Sequence, residues 1–404
     1  MTRHEQRIIL MYDLVFISLE DWDDLWRRNQ FVCAEFAMRY PDMKILFVGL
    51  PRNVSNGIRL GRFRELRQNA TYSAQGFPNI TITHALKLFP NSLSIGRAAN
   101  ERMFRRHVRA VAASLGIDRP ILWLNPHSAV HMVGQMDESA VIYDITDDWT
   151  TLTQSSRLTQ LIRRQDEQLC RNADAVIVCS ERLYDLKRSL VSIERLHLIP
   201  NGVHVEHYRR VLDKTAPLSP MARHWTHPIM GYTGTIHPDR IDVQLIRKLA
   251  SAPGVGSVVL VGPNHLRKPD LESLRLPNIF FPGPVSYEQI PDVMRAFDVC
   301  IVPHKVTPFT ESLNPIKLWE YLAAGKPIVS ADVAGFRDFP KLVSVTRTSE
   351  EFIAACLGAL SEDRSLANAR IAEARKHSWA SRVDLIEQVL DKCVGADREV
   401  SHVG

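Results

Sequence analysis

Short apolar runs of strand character alternate with amphipathic helical patterns along almost the whole chain, which is the pattern of parallel α/β folding. In the first half the runs fall at residues 8–17, 44–49, 80–83, 121–124, 141–145, 175–179 and 196–199. A second series follows at 229–232, 257–261, 279–281, 299–302, 327–330 and 342–345. Two such series predict two α/β domains, residues 1–205 and 228–377. Between them, Val203 to Pro228 lacks strong periodicity and carries three prolines, so it reads as a linker. Sites in open parallel sheets lie beyond the carboxyl ends of strands, which here places the expected site in a cleft between the domains.

A chain of 404 residues is long enough for two full cores, and 45% hydrophobic with 24% charged residues is the composition of a globular protein. No run approaches the roughly 18 to 20 apolar residues of a membrane span. The start, Met-Thr-Arg-His-Glu-Gln-Arg, leads into a strand containing Asp13, so no signal peptide is expected. Six scattered cysteines have neither metal spacing nor the density of a disulfide framework and suit a reducing cytoplasm.

Charge changes this picture locally. The net charge is +5, yet residues 52–109 hold eleven Lys or Arg against two acids. Within residues 102–115, Phe104, Val108, Val111 and Leu115 share one helical face, with Arg102, Arg105, Arg106 and Arg109 opposite. That face is either merely solvated or turned to anionic lipid or a pyrophosphate-bearing acceptor. Nucleic acid is not the expected polyanion, because the first half has no aromatic stacking series and no reader motif.

The richest segment is Asn-Pro-Ile-Lys-Leu-Trp-Glu-Tyr-Leu-Ala-Ala-Gly-Lys-Pro-Ile-Val, from Asn314 to Val329. Asn314 reads as an N-cap, Pro315 and Ile316 as the first helical positions, and Gly325 as a left-handed terminus stopped by Pro327. A helix N-terminus offers unpaired N–H groups, and Lys317 adds a full positive charge in the first turn. Glu320 lies on the same face, three residues on. The segment could hold a nucleotide diphosphate and a ribose diol, or it could be a well-capped helix with an internal ion pair. Before it, Gly231-Tyr232-Thr233-Gly234-Thr235-Ile236 closes a strand with glycines, but it is not the dinucleotide G-x-G-x-x-G fingerprint.

In the first half, Val141-Ile142-Tyr143-Asp144-Ile145-Thr146-Asp147-Asp148 ends a strand with three carboxylates. Crowded carboxylates raise one another's pKa values, so one could serve as a base toward an acceptor hydroxyl. Alternatively, Asp147 or Asp148 caps the next helix and Asp144 braces a buried loop. His127 follows another strand end and is either a sugar contact or structural. Arg28, after the first strand, is either an acceptor-phosphate ligand or the partner of Glu20, Asp21, Asp23 or Asp24. No Gly-x-Ser-x-Gly elbow, P-loop or zinc motif is present.

The segment from Asn314 resembles the donor site of bacterial nucleotide-sugar glycosyltransferases with two Rossmann-like domains, the GT-B fold. Four other segments resemble that family in the expected order: Trp22-Asp23-Asp24-Leu25-Trp26-Arg27-Arg28-Asn29-Gln30, Pro200-Asn201-Gly202-Val203 with Tyr208, the loop at Gly231, and Phe281-Pro282-Gly283-Pro284-Val285 with the strand at Asp298–Pro303. The first is similar to a loop of exopolysaccharide and teichuronate-type transferases. The resemblance implies an α/β GT-B protein that moves a sugar from a nucleotide-diphosphate donor, UDP- or GDP-linked, to a polysaccharide or lipid-linked saccharide, with retention of configuration. It implies a donor site of Gly234, Thr235, Arg240, Val285, His304, Lys305, Asn314, Pro315, Ile316, Lys317 and Glu320. Asp147 supported by Asp144 would act on the acceptor side with Arg28 and His127, and Lys317 would stabilise the leaving group. No cofactor or metal is implied, since metal-dependent transferases usually have the single-domain fold. The protein would be cytoplasmic, peripheral at the inner membrane face through the arginine-rich segment, with a last helix from about residue 378 returning to the first domain. The sequence departs from the family where Thr235 and Arg240 replace an arginine and a lysine, and where Ser312 replaces a glutamate, with Glu311 one residue early. A nucleotide-sugar epimerase of the same fold and a catalytically silent binding or scaffold protein are the alternatives.

Overall fold

A computed structural model describes residues 12–54, 71–91, 93–149, 155–213, 215–363 and 365–401, with side chains to residue 395. By contact the chain divides into two compact units, one running to Pro200 and resuming at Val383, the other running from Asn201 to Arg382.

Among its described residues the first unit has ten strands: β1 (Leu14–Ile17), β2 (Ile45–Val48), β3 (Arg52–Asn53), β4 (Tyr72–Ala74), β5 (Phe77–Thr83), β6 (Leu86–Lys87), β7 (Ile121–Leu124), β8 (Ala140–Ile145), β9 (Ala175–Val178) and β10 (Leu196–Leu198). Eight form one sheet in the order β10-β9-β8-β7-β1-β2-β5-β4, parallel except for β4. β1, β2, β7, β8 and β9 are buried along their whole length, as strands with both faces covered must be. Phe16 stacks between Phe47 and Trp123, with ring centroids 5.8 and 5.4 Å away. The antiparallel hairpin β4–β5 has no counterpart in the strand expectations, because Tyr-Ser-Ala is short and mostly exposed.

Register decides which loops meet. Ile17 of β1 pairs with Leu124 of β7, and Leu124 pairs with Tyr143 of β8. The loops after these strands therefore start from one edge of the sheet. Asn125 staples them: its Oδ1 accepts from Leu19 N at 3.2 Å and Asn29 Nδ2 at 2.9 Å, and its Nδ2 donates to Asp144 O at 2.9 Å.

The second unit carries β11 (Ile229–Thr233), β12 (Ser257–Val261), β13 (Ile279–Gly283), β14 (Val299–Val302), β15 (Ile328–Ala331) and β16 (Ser344–Thr346), all parallel in the order β13-β12-β11-β14-β15-β16. The helix Ile316–Ala324 ends at Gly325, which adopts the left-handed conformation (φ 66°) expected of it.

Residues 203–228 are not a linker. Val205, Tyr208, Val211, Ala222 and Trp225 are buried in the second unit's core, with Trp225 beside Phe280 and Phe297. The three prolines masked this, since the segment folds as short helical turns without an amphipathic period. The last helix, Trp379–Ser401, counts with the first unit from Val383 on. There Arg39 donates to Asp384 Oδ1 at 2.7 Å and to the buried Glu387 at 2.9 Å, which also accepts from Tyr40. Cys33, Cys170, Cys179, Cys300 and Cys356 are buried, Cys393 is half-buried, and all six are free thiols rather than disulfides. No described helix is long and apolar enough to cross a membrane.

Because Trp225 sits in a core, Trp225→Ala should cost about 3 to 5 kcal/mol of stability in denaturant melts. A linker position would change stability by less than about 0.5 kcal/mol.

Candidate functional site

In the second unit, β11 delivers Gly234 at its carboxyl end with φ 134°, a conformation open to glycine. A Cβ placed there would lie 2.1 Å from Lys317 Cε and 2.3 Å from Nζ, so the lysine lies across the vacant side of this glycine. Its ammonium also stands 5.6 Å from the Tyr232 ring centroid. The loop is fixed to the helix by Tyr321, whose hydroxyl accepts from Thr233 N at 2.9 Å.

The start of that helix differs from the expected cap. Pro315 occupies the cap position, with no side chain capping the first turn. Asn314 turns away: its Oδ1 accepts from Asn201 N at 2.9 Å, and its backbone carbonyl accepts from Asn201 Nδ2 at 2.6 Å. Neither Pro315 nor Asn314 caps the first turn beside Lys317, a geometry suited to a phosphate. One turn on, Glu320 Oε1 accepts from the buried Tyr208 hydroxyl at 2.6 Å. Burial raises the Glu320 pKa, opposed by Lys317 and by the Tyr208 hydrogen bond.

The other donor candidates separate into two groups. Arg240 is half-buried, its guanidinium 5.6 Å from the Phe309 ring centroid and its Nε buried without a partner. His304 is buried, 3.3 Å from the Tyr232 hydroxyl, and held neutral by burial together with the charges of Lys317 and Arg240. Gly234, Arg240, His304, Lys317 and Glu320 are therefore one cluster, in which His304 is a packed wall rather than an open ligand. Thr235 contributes its carbonyl, which accepts from Tyr232. Lys305 is committed elsewhere, donating to Pro238 O at 2.8 Å, and Val285 is buried in the core. Ile316 is half-buried as the first helical residue. Glu311 is held by both terminal nitrogens of Arg337 at 2.8 and 2.9 Å, while Ser312 is buried.

In the first unit Arg28 and Asp144 meet each other, and Asp144 takes the bracing role, one of the two readings open to it. Arg28 is the first residue of the helix Arg28–Arg39 and is buried, its Nε 2.9 and 3.2 Å from the Asp144 carboxylate, which is wholly buried too. They form an internal brace between helix and strand. Among the described residues the next helix after Asp147 and Asp148 begins only at Ser156, behind Ser155. Asp147 is half-buried, with Thr146 Oγ1 donating to its Oδ2 at 3.2 Å. His127 is half-buried; its Nδ1 lies 3.0 Å from Gln165 Oε1, and burial lowers its pKa. It lines a cavity of about 300 Å³ within this unit. Among the described residues no group of three or more His, Cys, Asp or Glu is placed to hold a metal ion.

One residue of this site was missed. Glu20 follows β1, as Asp147 follows β8, and lies 3.5 Å from Arg27 Nε. Burial raises its pKa from 4.5 to about 7; Arg27 opposes this, and Asp147 and Asp23 add to it. A glutamate three residues past a buried strand was the available signal, and only the sheet order brings it toward Asp147.

Residues 227–362 match the family model described as Glycosyl transferases group 1. The chain carries a group 1 glycosyl transferase domain. Over 392 residues, 90% of this chain and 94% of the relative, it is 24% identical to the putative teichuronic acid biosynthesis glycosyltransferase TuaH of Bacillus subtilis. The fold matches sucrose-phosphate synthase from Thermosynechococcus elongatus at TM-score 0.70 and 16% identity, covering 95% of this chain and 100% of that one. It also matches Anabaena HepE, solved in complex with UDP, at TM-score 0.64 and 17% identity over 94% and 100% of the chains. This is the GT-B glycosyltransferase fold, and the matched residues of the glycosyltransferase domain include the whole cluster around Gly234 and Lys317.

In this glycosyltransferase the Arg28–Asp144 pair serves stability. Asp144→Ala, which leaves a buried guanidinium without its partner, should cost about 3 to 5 kcal/mol by denaturant titration. A loss below about 1 kcal/mol would return Asp144 to the solvent-facing role.

Proposed function

We propose that this glycosyltransferase moves a sugar from a UDP- or GDP-linked donor to a polysaccharide or lipid-linked saccharide acceptor in cell-envelope or exopolysaccharide biosynthesis. The observation that carries this reading is the Lys317 side chain laid across Gly234 beside the uncapped start of a nine-residue helix. Cleavage of the sugar–phosphate bond leaves negative charge on the diphosphate. An ammonium and fixed N–H groups at that point stabilise it more than they stabilise the intact donor. Arg240, with a buried unpartnered Nε, supplies the second cation, and Glu320, oriented by Tyr208, receives the ribose hydroxyls. HepE is named in complexes with UDP, with UDP and glucose and with UDP-glucose, and TuaH is named for teichuronic acid biosynthesis; both support the choice.

On the acceptor side, Glu20 and Asp147 are the groups suited to take a proton from the attacking hydroxyl. The exposed Arg102, Arg106 and Arg109 of the helix Ser94–Ser114 fit a peripheral contact with anionic membrane; of the arginine-rich segment, residues 55–70 lie outside the described residues. Retention of the anomeric configuration is read from the product by proton NMR.

UDP, GDP, dTDP and ADP should be compared by thermal unfolding of the wild type and of Lys317→Ala. One nucleotide at about a hundred times its dissociation constant adds about 2.7 kcal/mol, which moves the melting point up by roughly 5 to 10 °C. Lys317→Ala should abolish most of that shift; an equal shift in the variant overturns the role of Lys317.

Glu20 must be ionised to act as a base, so kcat/KM should rise as pH increases through about 7. Glu20→Gln should remove that limb. The stability effect has the opposite sign: the folded state holds this proton more tightly, so the contribution is full below pH 4.5 and is lost as pH rises through 7.

A further inference from the structure

The cavity beside His127 has aliphatic walls, including Ile17, Leu19, Leu86, Ala129 and Ile162, with Phe104 beside them. Several of its polar side chains are engaged with other parts of the protein, while His131 keeps a buried Nδ1 without a partner. Asn100 accepts from the backbone N–H groups of Leu88 and Phe89 and donates to Phe89 O and Asn91 Oδ1. His127 is engaged with Gln165, and Ser18 Oγ accepts from Glu20 N and Asn29 Nδ2. A sugar ring placed here would bury hydroxyls among groups already spoken for, which costs more than it returns. A hydrocarbon chain needs no such partners.

Two further features define the occupant. Lys87, Arg97 and Glu101 also line the cavity, Glu101 standing 3.9 Å from Arg97, so two cations against one carboxylate leave room for a single negative charge at its edge. Leu50 and Leu158 line it while remaining exposed to solvent, and the flanking segment carries Leu88, Phe89, Leu93 (64% exposed) and Ile95 (84% exposed). An apolar chamber that opens onto exposed apolar side chains and cations matches an amphiphile with an anionic head.

We infer that this cavity holds the hydrocarbon chain of a phosphate-bearing, lipid-linked acceptor, with Lys87 and Arg97 facing the phosphate. The inference rests on the glycosyltransferase reading above and specifies its acceptor.

The test uses the full chain and hexyl, octyl and decyl phosphate below their micellar concentrations, with inorganic phosphate as reference. Calorimetry should show affinity rising about fourfold for each added CH₂ that enters the cavity, from about 0.8 kcal/mol per buried CH₂. Leu161→Trp, which fills the chamber from a half-buried wall position, should abolish the dependence on chain length. Should that variant fail to fold, Leu158→Lys at the exposed mouth gives the same readout through a steep loss for the longer chains. Affinity independent of chain length, or a dependence untouched by both substitutions, overturns the assignment. The nucleotide-induced shift of melting temperature, which reports on the second unit, is measured alongside. If it persists while chain-length dependence is absent, the lipid assignment alone falls; if it is absent, the donor reading falls separately.

Discussion

The donor-side cluster depends on one close approach. Lys317 can reach the end of β11 because residue 234 has no Cβ; any other side chain would occupy the space of its terminal carbon and nitrogen. That approach places a cation beside first-turn N–H groups that no side chain caps. It also brings a positive charge near the buried His304 and keeps that imidazole neutral. The glycine and the placing of the lysine are thus one packing requirement, and the charge it brings adds to burial in keeping His304 neutral.

Much of the architecture could be read from hydrophobic patterning. Strands buried on both faces leave unbroken runs of Val, Ile and Leu, and those runs reappear as the parallel sheets of both units. The patterning failed where burial leaves no period. Residues 203–228 fold as short turns around Tyr208 and Trp225, and their prolines look the same in a linker as in a tight turn against a core. Asn314 failed for another reason. Its chemistry suits a helix cap, but its oxygen is taken by Asn201, 113 residues earlier, a competition that no local sequence window contains.

The same limit applied to the charged residues of the first unit. Arg28, Asp144, Glu20 and Asp147 are all polar residues near strand ends, and sequence position does not separate a buried brace from an accessible acid. Strand order does. Asp144 lies within β8 and is closed in by Arg28, whereas Asp147 lies beyond the strand, level with the loop that carries Glu20. Burial, which the sequence does not carry, is what separates the closed pair from the half-buried Glu20 and Asp147.

The pairing of Asn201 with Asn314 has a mechanical side. Asn201 is the residue at which the second unit begins, and it holds Asn314, one residue before the cap of the lysine-bearing helix, through two hydrogen bonds, one to its side-chain oxygen and one to its backbone carbonyl. Its carbonyl is in turn held by Arg382, the last residue of that unit, whose guanidinium also reaches His377 where it stacks on Trp319. Both ends of the second unit are therefore wired to the first turns of one helix. Tension applied to the chain near Asn201 or Arg382 would be delivered to the start of the helix that carries Lys317.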